Sequence, residues 1–392
     1  MTSQVEASDN CTPENLLIVT QSPLPGTLVG TGTTTITLTV TDASLNFITC
    51  MTTFTVTESI PPTAVCQPYT AVLDATGNAS ITAANVDNGS SDNCGVIASR
   101  TVTPNTFTCA NKGPNTVTLT VTDPSGNSAS CLATVTVVDN TPPTITCPAS
   151  FTQSTDLNLC SAVVSFSATA SDNCPGVTYS CTPPSGSTFP KGPTTVNCTA
   201  TDAGGLTSSA CSFTVTVNDT QLPAIACPAN IVVEPTCPDG AVVTYTAPVG
   251  TDNCPGALTI QTAGLASGST FPIGVTTTNT FKVTDTSGNF VTCSFTVRVK
   301  TAAEVIQDLI TRVLALPLTG QQSQGLVSKL QAALDAVNTG KTNVACNKLA
   351  DFISQVTGFI NNGTLTSAQG QPLIVSAAKV RNTLGCTNLG CT

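Results

Sequence analysis

Asp-Asn-Cys recurs at Asp9-Asn10-Cys11, Asp92-Asn93-Cys94, Asp172-Asn173-Cys174 and Asp252-Asn253-Cys254, so the cysteines advance in steps of 83, 80 and 80 residues. A Thr-Asp pair keeps the same interval at Asp42, Asp123, Asp202 and Asp285. A cysteine follows each of these eight or nine residues later, at Cys50, Cys131, Cys211 and Cys293. Three markers in phase mean tandem copies of one domain and predict a rod. The copies are read at 1–58, 59–140, 141–220 and 221–300, with a tail of different texture at 301–392. The first three copies end near an acidic residue (Glu58, Asp139, Asp219) and the next restarts at proline (Pro61-Pro62, Pro142-Pro143, Pro223). Proline fixes φ and restricts its predecessor, so the joints are expected to be semi-rigid.

Between the markers lie short alternating runs such as Thr116-Val117-Thr118-Leu119-Thr120-Val121 and Phe213-Thr214-Val215-Thr216-Val217. Alternation places Val and Leu on one face of a strand and Thr on the other. Runs of this length, separated by Gly, Pro, Asn and Asp, predict Ig-like antiparallel β-sandwiches, so the chain is expected to be mainly β. Asp123-Pro124-Ser125-Gly126-Asn127 and Asp285-Thr286-Ser287-Gly288-Asn289 read as tight hairpin turns. From Thr301 the period changes to 3.6, with stripes at Val305, Ile306, Leu309 and Val313, and at Leu326, Leu330, Leu334 and Val337. Two more follow, at Leu349, Phe352, Ile353, Val356 and Ile360, and at Leu373, Ile374, Ala377, Val380 and Leu384. Four short amphipathic helices predict a small all-α bundle.

Composition narrows function by exclusion. The chain has no His and no Trp. Ser-His-Asp and Cys-His catalysis and imidazole metal sites are therefore absent, and no enzyme is expected. A net charge of −10 with 12 basic residues argues against nucleic acid and against an anionic membrane surface. No run of 18 apolar residues occurs, so no membrane insertion is expected. Met1 to Glu6 lacks the basic start and apolar run of a signal peptide. Nineteen cysteines outside any Cys-x-x-Cys arrangement nevertheless read as disulfides and an oxidising, extracellular setting. The two are reconciled if the sequence is mature or part of a longer chain.

The pattern Cys147-Pro148, Asp172-Asn173-Cys174-Pro175-Gly176, Ser185-Gly186-Ser187-Thr188-Phe189-Pro190-Lys191-Gly192, Thr199-Ala200-Thr201-Asp202 and Cys211-Ser212-Phe213-Thr214-Val215 resembles the hyalin repeat (HYR) domain. The fourth copy repeats it with Ser267-Gly268-Ser269-Thr270-Phe271-Pro272-Ile273-Gly274. The second is a looser variant, and the first covers only the later portion. The tail, with Leu349-Ala350-Asp351-Phe352-Ile353 and Leu365-Thr366-Ser367-Ala368-Gln369-Gly370, resembles the FIMAH-type domain that closes some bacterial surface proteins. The resemblance implies Ig-like sandwiches of extracellular adhesion and matrix proteins at the cell surface, and supplies no catalytic residue.

Repeat phase suggests disulfides Cys66–Cys131, Cys147–Cys211 and Cys227–Cys293, separated by 65, 64 and 66 residues. Shorter pairs expected are Cys94–Cys109, Cys160–Cys174, Cys181–Cys198 and Cys237–Cys254, with Cys346–Cys386 in the tail. Cys11, Cys50 and Cys391 remain as candidates for bonds between subunits. By register, the partners of Cys11 and Cys50 belong to opening strands that the first copy lacks. Such a sheet leaves an unpaired edge, a template for another chain. Three accounts compete: earlier repeats lost from the sequence, completion by a neighbouring subunit in a head-to-tail filament, or a Cys11–Cys50 bond.

No cofactor is required on this reading. Calcium is the one worth arguing, at Asp139 and Asp219 in the joints with Asp172 and Asp252 in the Asp-Asn-Cys loops, against the simpler reading that these residues cap turns. Sequons occur at Asn78, Asn88, Asn197 and Asn362. The expectation is a non-enzymatic, disulfide-stapled extracellular rod that assembles with copies of itself or with other surface and matrix proteins. The competing readings are an adhesin or ligand-binding stalk, a fragment of a longer multi-repeat protein, and an accessory stalk of a secreted enzyme.

Overall fold

A computed structural model describes residues 5–386. Cys391 lies outside them. The chain forms two compact units. One takes in the described residues up to Cys147 with Ser167–Thr182 and Asn197–Ser212. The other takes in Pro148–Phe166, Pro183–Val196 and the described residues from Phe213.

In the first unit the second copy is a closed sandwich. Its larger sheet runs in the order Tyr69–Val72, Ser128–Val138, Gly113–Thr122, Ser99–Thr103. Tyr69–Val72 pairs parallel with Ser128–Val138 and the other pairs are antiparallel. Asn78–Ser80 and Thr106–Thr108 form the smaller sheet. The inward faces bury Val117, Leu119, Val121, Val135 and Val137 with Phe107, and the alternating Thr residues point outward. The hairpin Asp123–Asn127 turns at Gly126, whose φ of 93° is open to glycine at little cost. Two pairs of the third copy also lie in this unit. They are Thr144–Thr146 with Thr169–Ser171, and Thr178–Thr182 with residues 197–201.

The first copy differs. It has three strands, Ile18–Ser22, Gly32–Thr41 and Phe47–Val56, in that order. No described residue pairs with the outer edge of Phe47–Val56, where the second copy carries its parallel opening strand. Every residue of Phe47–Val56 before Val56 is exposed, although its sequence alternates like Ser128–Val138.

In the second unit the fourth copy repeats the closed arrangement, with Ile231–Val233, Phe290–Val299, Thr276–Thr284 and Leu258–Ala263 in one sheet. Ala241–Val242 and Thr270–Phe271 pair opposite. Ile231–Val233 runs parallel to Phe290–Val299, and Phe151–Ser154 of the third copy runs parallel to residues 215–218 in the same way. Here the core is aromatic: Tyr245 meets Phe295 edge-on at 4.9 Å.

Four helices follow, Ala302–Leu314, Gly320–Asn338, Thr342–Asn361 and Ser367–Thr383. The first, second and fourth start from reciprocal boxes, Thr301 with Glu304, Thr319 with Gln322 and Thr366 with Gln369. Their apolar stripes meet in one core built around Leu309, Leu330, Phe352 and Val380. Glu234 of the fourth copy receives Arg312 at 3.1 Å, Lys379 at 3.4 Å and the Ser376 hydroxyl at 2.8 Å, anchoring the bundle. No described helix is long and apolar enough to cross a membrane.

The Asp-Asn-Cys joints

Each residue of the recurring triplet has its own task. The Asp closes a turn on the Cys amide: Asp172 Oδ2 accepts from Cys174 N at 3.2 Å, and Asp252 Oδ2 from Cys254 N at 2.9 Å. The Asn reaches the copy before it. Asn173 Nδ2 donates to the Asp74 carbonyl at 3.0 Å and to Asp139 Oδ1 at 3.2 Å. Asn253 Nδ2 donates to the Leu159 carbonyl at 2.9 Å and to Asp219 Oδ1 at 3.4 Å. The Cys then locks the joint covalently, as Cys109–Cys174 and Cys160–Cys254.

This corrects three expected pairings. Cys109 joins Cys174, leaving Cys94 a free thiol. Cys160 joins Cys254, and Cys237 is disulfide-bonded elsewhere. The physical reason is the turn itself, which directs the triplet cysteine out of its own sandwich and toward its predecessor. Gly77 shows how close that approach is: a Cβ there would sit 2.5 Å from the Asn173 carbonyl oxygen and 2.7 Å from Cys109 Sγ. Within copies the bonds are Cys66–Cys131, Cys147–Cys211, Cys181–Cys198 and Cys227–Cys293, and the helices carry Cys346–Cys386. Cys11 and Cys50 do not bond each other; both are free and exposed.

The joint carboxylates gather as well. Oxygens of Asp139, Asp172 and Asp202 lie within 4.8 Å of one another, and Asp219 and Asp252 meet beside Cys254 in the same way. Cys254 is in a disulfide and has no thiolate to offer a metal. At the first cluster Asp139 Oδ2, Asp172 Oδ1, Asn173 Oδ1 and Asp202 Oδ2 are all buried without a hydrogen-bond donor. Lys112 Nζ stands 3.6 Å from Asp139 Oδ2.

Asp202 was missed as a site residue, and its bare oxygen has a local cause. Asn46, Asn127 and Asn289 each donate Nδ2 to the hairpin Asp of their copy, at 2.8 Å in all three. The third copy has Leu206 there, which offers only its backbone N–H to Asp202 Oδ1. In the fourth copy Asp285, the counterpart of Asp202, keeps its Asn289 donor. Burial there pushes the Asp285 carboxyl up, but the Asn289 side chain and the turn amides outweigh it and hold the pKa below the ordinary value. Among the buried side-chain atoms of the described residues, Asp252 Oδ1 and Asn253 Oδ1 lack donors at the second cluster, where Lys191 Nζ lies 3.7 Å from Asp219 Oδ2.

The joint after the first copy is open. Cys94 donates its thiol proton to Glu58 Oε2 at 2.9 Å, and that hydrogen bond, followed by burial, pushes the thiol up to about 11. Thr31, Glu58, Asp92 and Cys94 line a cleft of about 140 Å³.

Residues 138–217 and 218–299 match the HYR domain in tandem. The chain is 34% identical over 297 residues to hyalin of Strongylocentrotus purpuratus, covering 72% of this chain and 24% of that protein. It is 33% identical over 248 residues to hyalin of Lytechinus variegatus, covering 60% and 46%. The chain thus spans less than half the length of either curated relative. Among solved structures, mouse cadherin-23 EC22-24 aligns at 15% identity and a TM-score of 0.29, covering 62% of this chain and 99% of that one. Drosophila N-cadherin EC1-4 aligns at 12% and 0.26, covering 70% and 85%.

Proposed function

We propose that this is a non-enzymatic extracellular structural protein. Its copies are coupled end to end through the Asp-Asn-Cys joints, and its first copy is completed by a neighbouring subunit in a head-to-tail filament or matrix. The observation that carries the reading is the unpartnered edge of Phe47–Val56, at the position where all three later copies hold a parallel opening strand. An apolar groove of about 280 Å³, lined by Leu24, Val29, Ile36 and Phe54, lies under that sheet. An unpaired edge above an uncovered apolar face favours strand addition over a free existence. The resemblance of the helices to a FIMAH-type domain, and the hyalin relatives, support a surface or matrix setting. Electron microscopy of the purified protein at rising concentration tests it. Polymers of regular axial repeat are expected, and strictly monomeric particles at every concentration would refute the filament. Binding of one glycan or protein, abolished by a single loop substitution, would favour an adhesin instead.

The reading includes a calcium ion at Asp139, Asp172, Asn173 and Asp202. Four buried acceptors without donors suit a hard cation that takes six to eight oxygens, and such a group is costly if left bare. The ion would neutralise the cluster and brace the joint alongside Lys112. Thermal unfolding in calcium against chelator is expected to separate the two states. Linkage adds about 2.7 kcal/mol when free calcium is a hundred times Kd. Leu206→Asn restores the amide donor that other copies have, and is expected to shrink the calcium effect. Identical melts with and without calcium, together with no heat of binding, would remove the ion from the account.

A further inference from the structure

We infer that the segment completing the first copy carries two cysteines about ten to thirteen residues apart, one bonding Cys50 and the other Cys94. The inference rests on the completion reading above and specifies the completing segment's chemistry. In this chain the pairs of that spacing, Cys147 with Cys160 and Cys227 with Cys237, are already bonded, so the segment comes from a copy whose two cysteines are still thiols. Cys50 faces Leu38 across the hairpin as Cys131 faces Leu119 and Cys293 faces Phe281. Cys131 and Cys293 each bond a cysteine just before the opening strand of their own copy, Cys66 and Cys227. The first missing thiol therefore belongs to that position.

The second follows from the joints. A triplet cysteine is bonded from the preceding copy by one of two routes. Cys160 reaches Cys254 from the turn after the opening strand. Cys109 reaches Cys174 from the residues leading into Gly113–Thr122. The offset of 81 that carries Cys50 to Cys131 carries Leu28 to the Cys109 position, and Leu28 is 99% exposed and has no thiol. Only the opening-turn route is left for Cys94, and no described residue of the first copy supplies that turn. In the two copies where both positions hold cysteine, they are Cys147 and Cys160, or Cys227 and Cys237.

The same offset carries Asp139 to Glu58 and Lys112 to Thr31. The first joint thus has no lysine facing its acid, and Glu58 instead accepts a hydrogen bond from the Cys94 thiol. Cys94 is accordingly the slower nucleophile, and it acts second, losing its proton as it attacks the mixed disulfide already formed on the incoming cysteine. For each bond an incoming thiolate attacks a small-molecule disulfide such as oxidised glutathione and expels one thiolate. The resulting mixed disulfide is then resolved by the second protein thiol. Two thiols lose two protons and two electrons, and one small disulfide becomes two thiols.

The test adds a synthetic peptide of residues 141–166, which contains Cys147 and Cys160, to the purified chain in a glutathione redox buffer. Peptide mapping is expected to find Cys50 bonded to peptide Cys147 and Cys94 to peptide Cys160. Cys11 should be the one described thiol left free. Leu28→Cys should close its own bridge to Cys94, lowering the mass by two hydrogens and leaving the peptide a single bond at Cys50. Peptide that binds but bonds neither or only one of the two cysteines overturns the two-thiol inference and leaves completion standing. Bonds spread evenly over Cys11, Cys50 and Cys94 overturn it too. No peptide binding at all removes the completion reading along with it.

Discussion

Replacing Cys66 and Cys131 together by serine is expected to destabilise the second sandwich by about 4 kcal/mol, which for a domain of this size lowers its transition by roughly 15–30 °C. The bridge closes a loop of 65 residues. In the chain-entropy treatment its effect lies in the unfolded state, where the ends of that loop can no longer separate. The native sandwich has little to set against the loss. Its core is aliphatic, with Leu73, Ile81, Val86 and Val102 beside Val117, Leu119, Val121, Val135 and Val137 and a single buried phenylalanine, and it lacks the ring cluster of the fourth copy. Scanning calorimetry of the double variant checks this, with the wild type under reductant as the comparison. One transition should move down in the variant, and reductant should move the same transition of the wild type down by at least as much, because it also opens Cys109–Cys174. An unchanged thermogram would mean that the valine layers suffice without the staple.

What could be read from the residues, and what could not, divides along the difference between phase and direction. Cys66–Cys131 and Cys227–Cys293 are legible because both ends fall in one copy at a constant interval. Cys109–Cys174 is not, because its two ends lie in different copies while each has a nearer cysteine within its own. Nothing in Asp-Asn-Cys says that the turn aims its cysteine backward until Asp172 is seen accepting from Cys174 N while Asn173 reaches Asp74. The helical stripes were legible for the opposite reason, since a 3.6 period already names its buried face, and Leu309, Leu330, Leu349 and Val380 are buried together. Asp202 falls between these cases. Leu206 in place of Asn46, Asn127 and Asn289 is visible in the sequence. That the oxygen left bare faces Asp139 and Asp172 is a property of the closed joint alone.

Phe295→Ala is expected to cost the fourth sandwich about 3–5 kcal/mol. Phe295 is 2% exposed, stacks with Phe281 at 6.3 Å and meets Tyr245 edge-on, so truncation leaves a cavity walled by rigid rings that cannot collapse into it. Phe54 gives the informative contrast. It occupies the register position of Val135 and Val297, both 0% exposed, yet is itself 42% exposed because no second layer covers it. In the chain alone Phe54→Ala is therefore expected to cost under about 1 kcal/mol, the range of a surface change. Once a completing segment is bound, the same side chain lies in the core between two sheets. The cost then reappears as lost affinity, about 100-fold for a penalty near 3 kcal/mol. Urea unfolding of the free variants and titration with the 141–166 peptide measure the two halves of this comparison. Equal losses of stability for Phe54→Ala and Phe295→Ala in the free chain would show that the first sandwich closes its core unaided. The edge of Phe47–Val56 would then have no reason to recruit a strand.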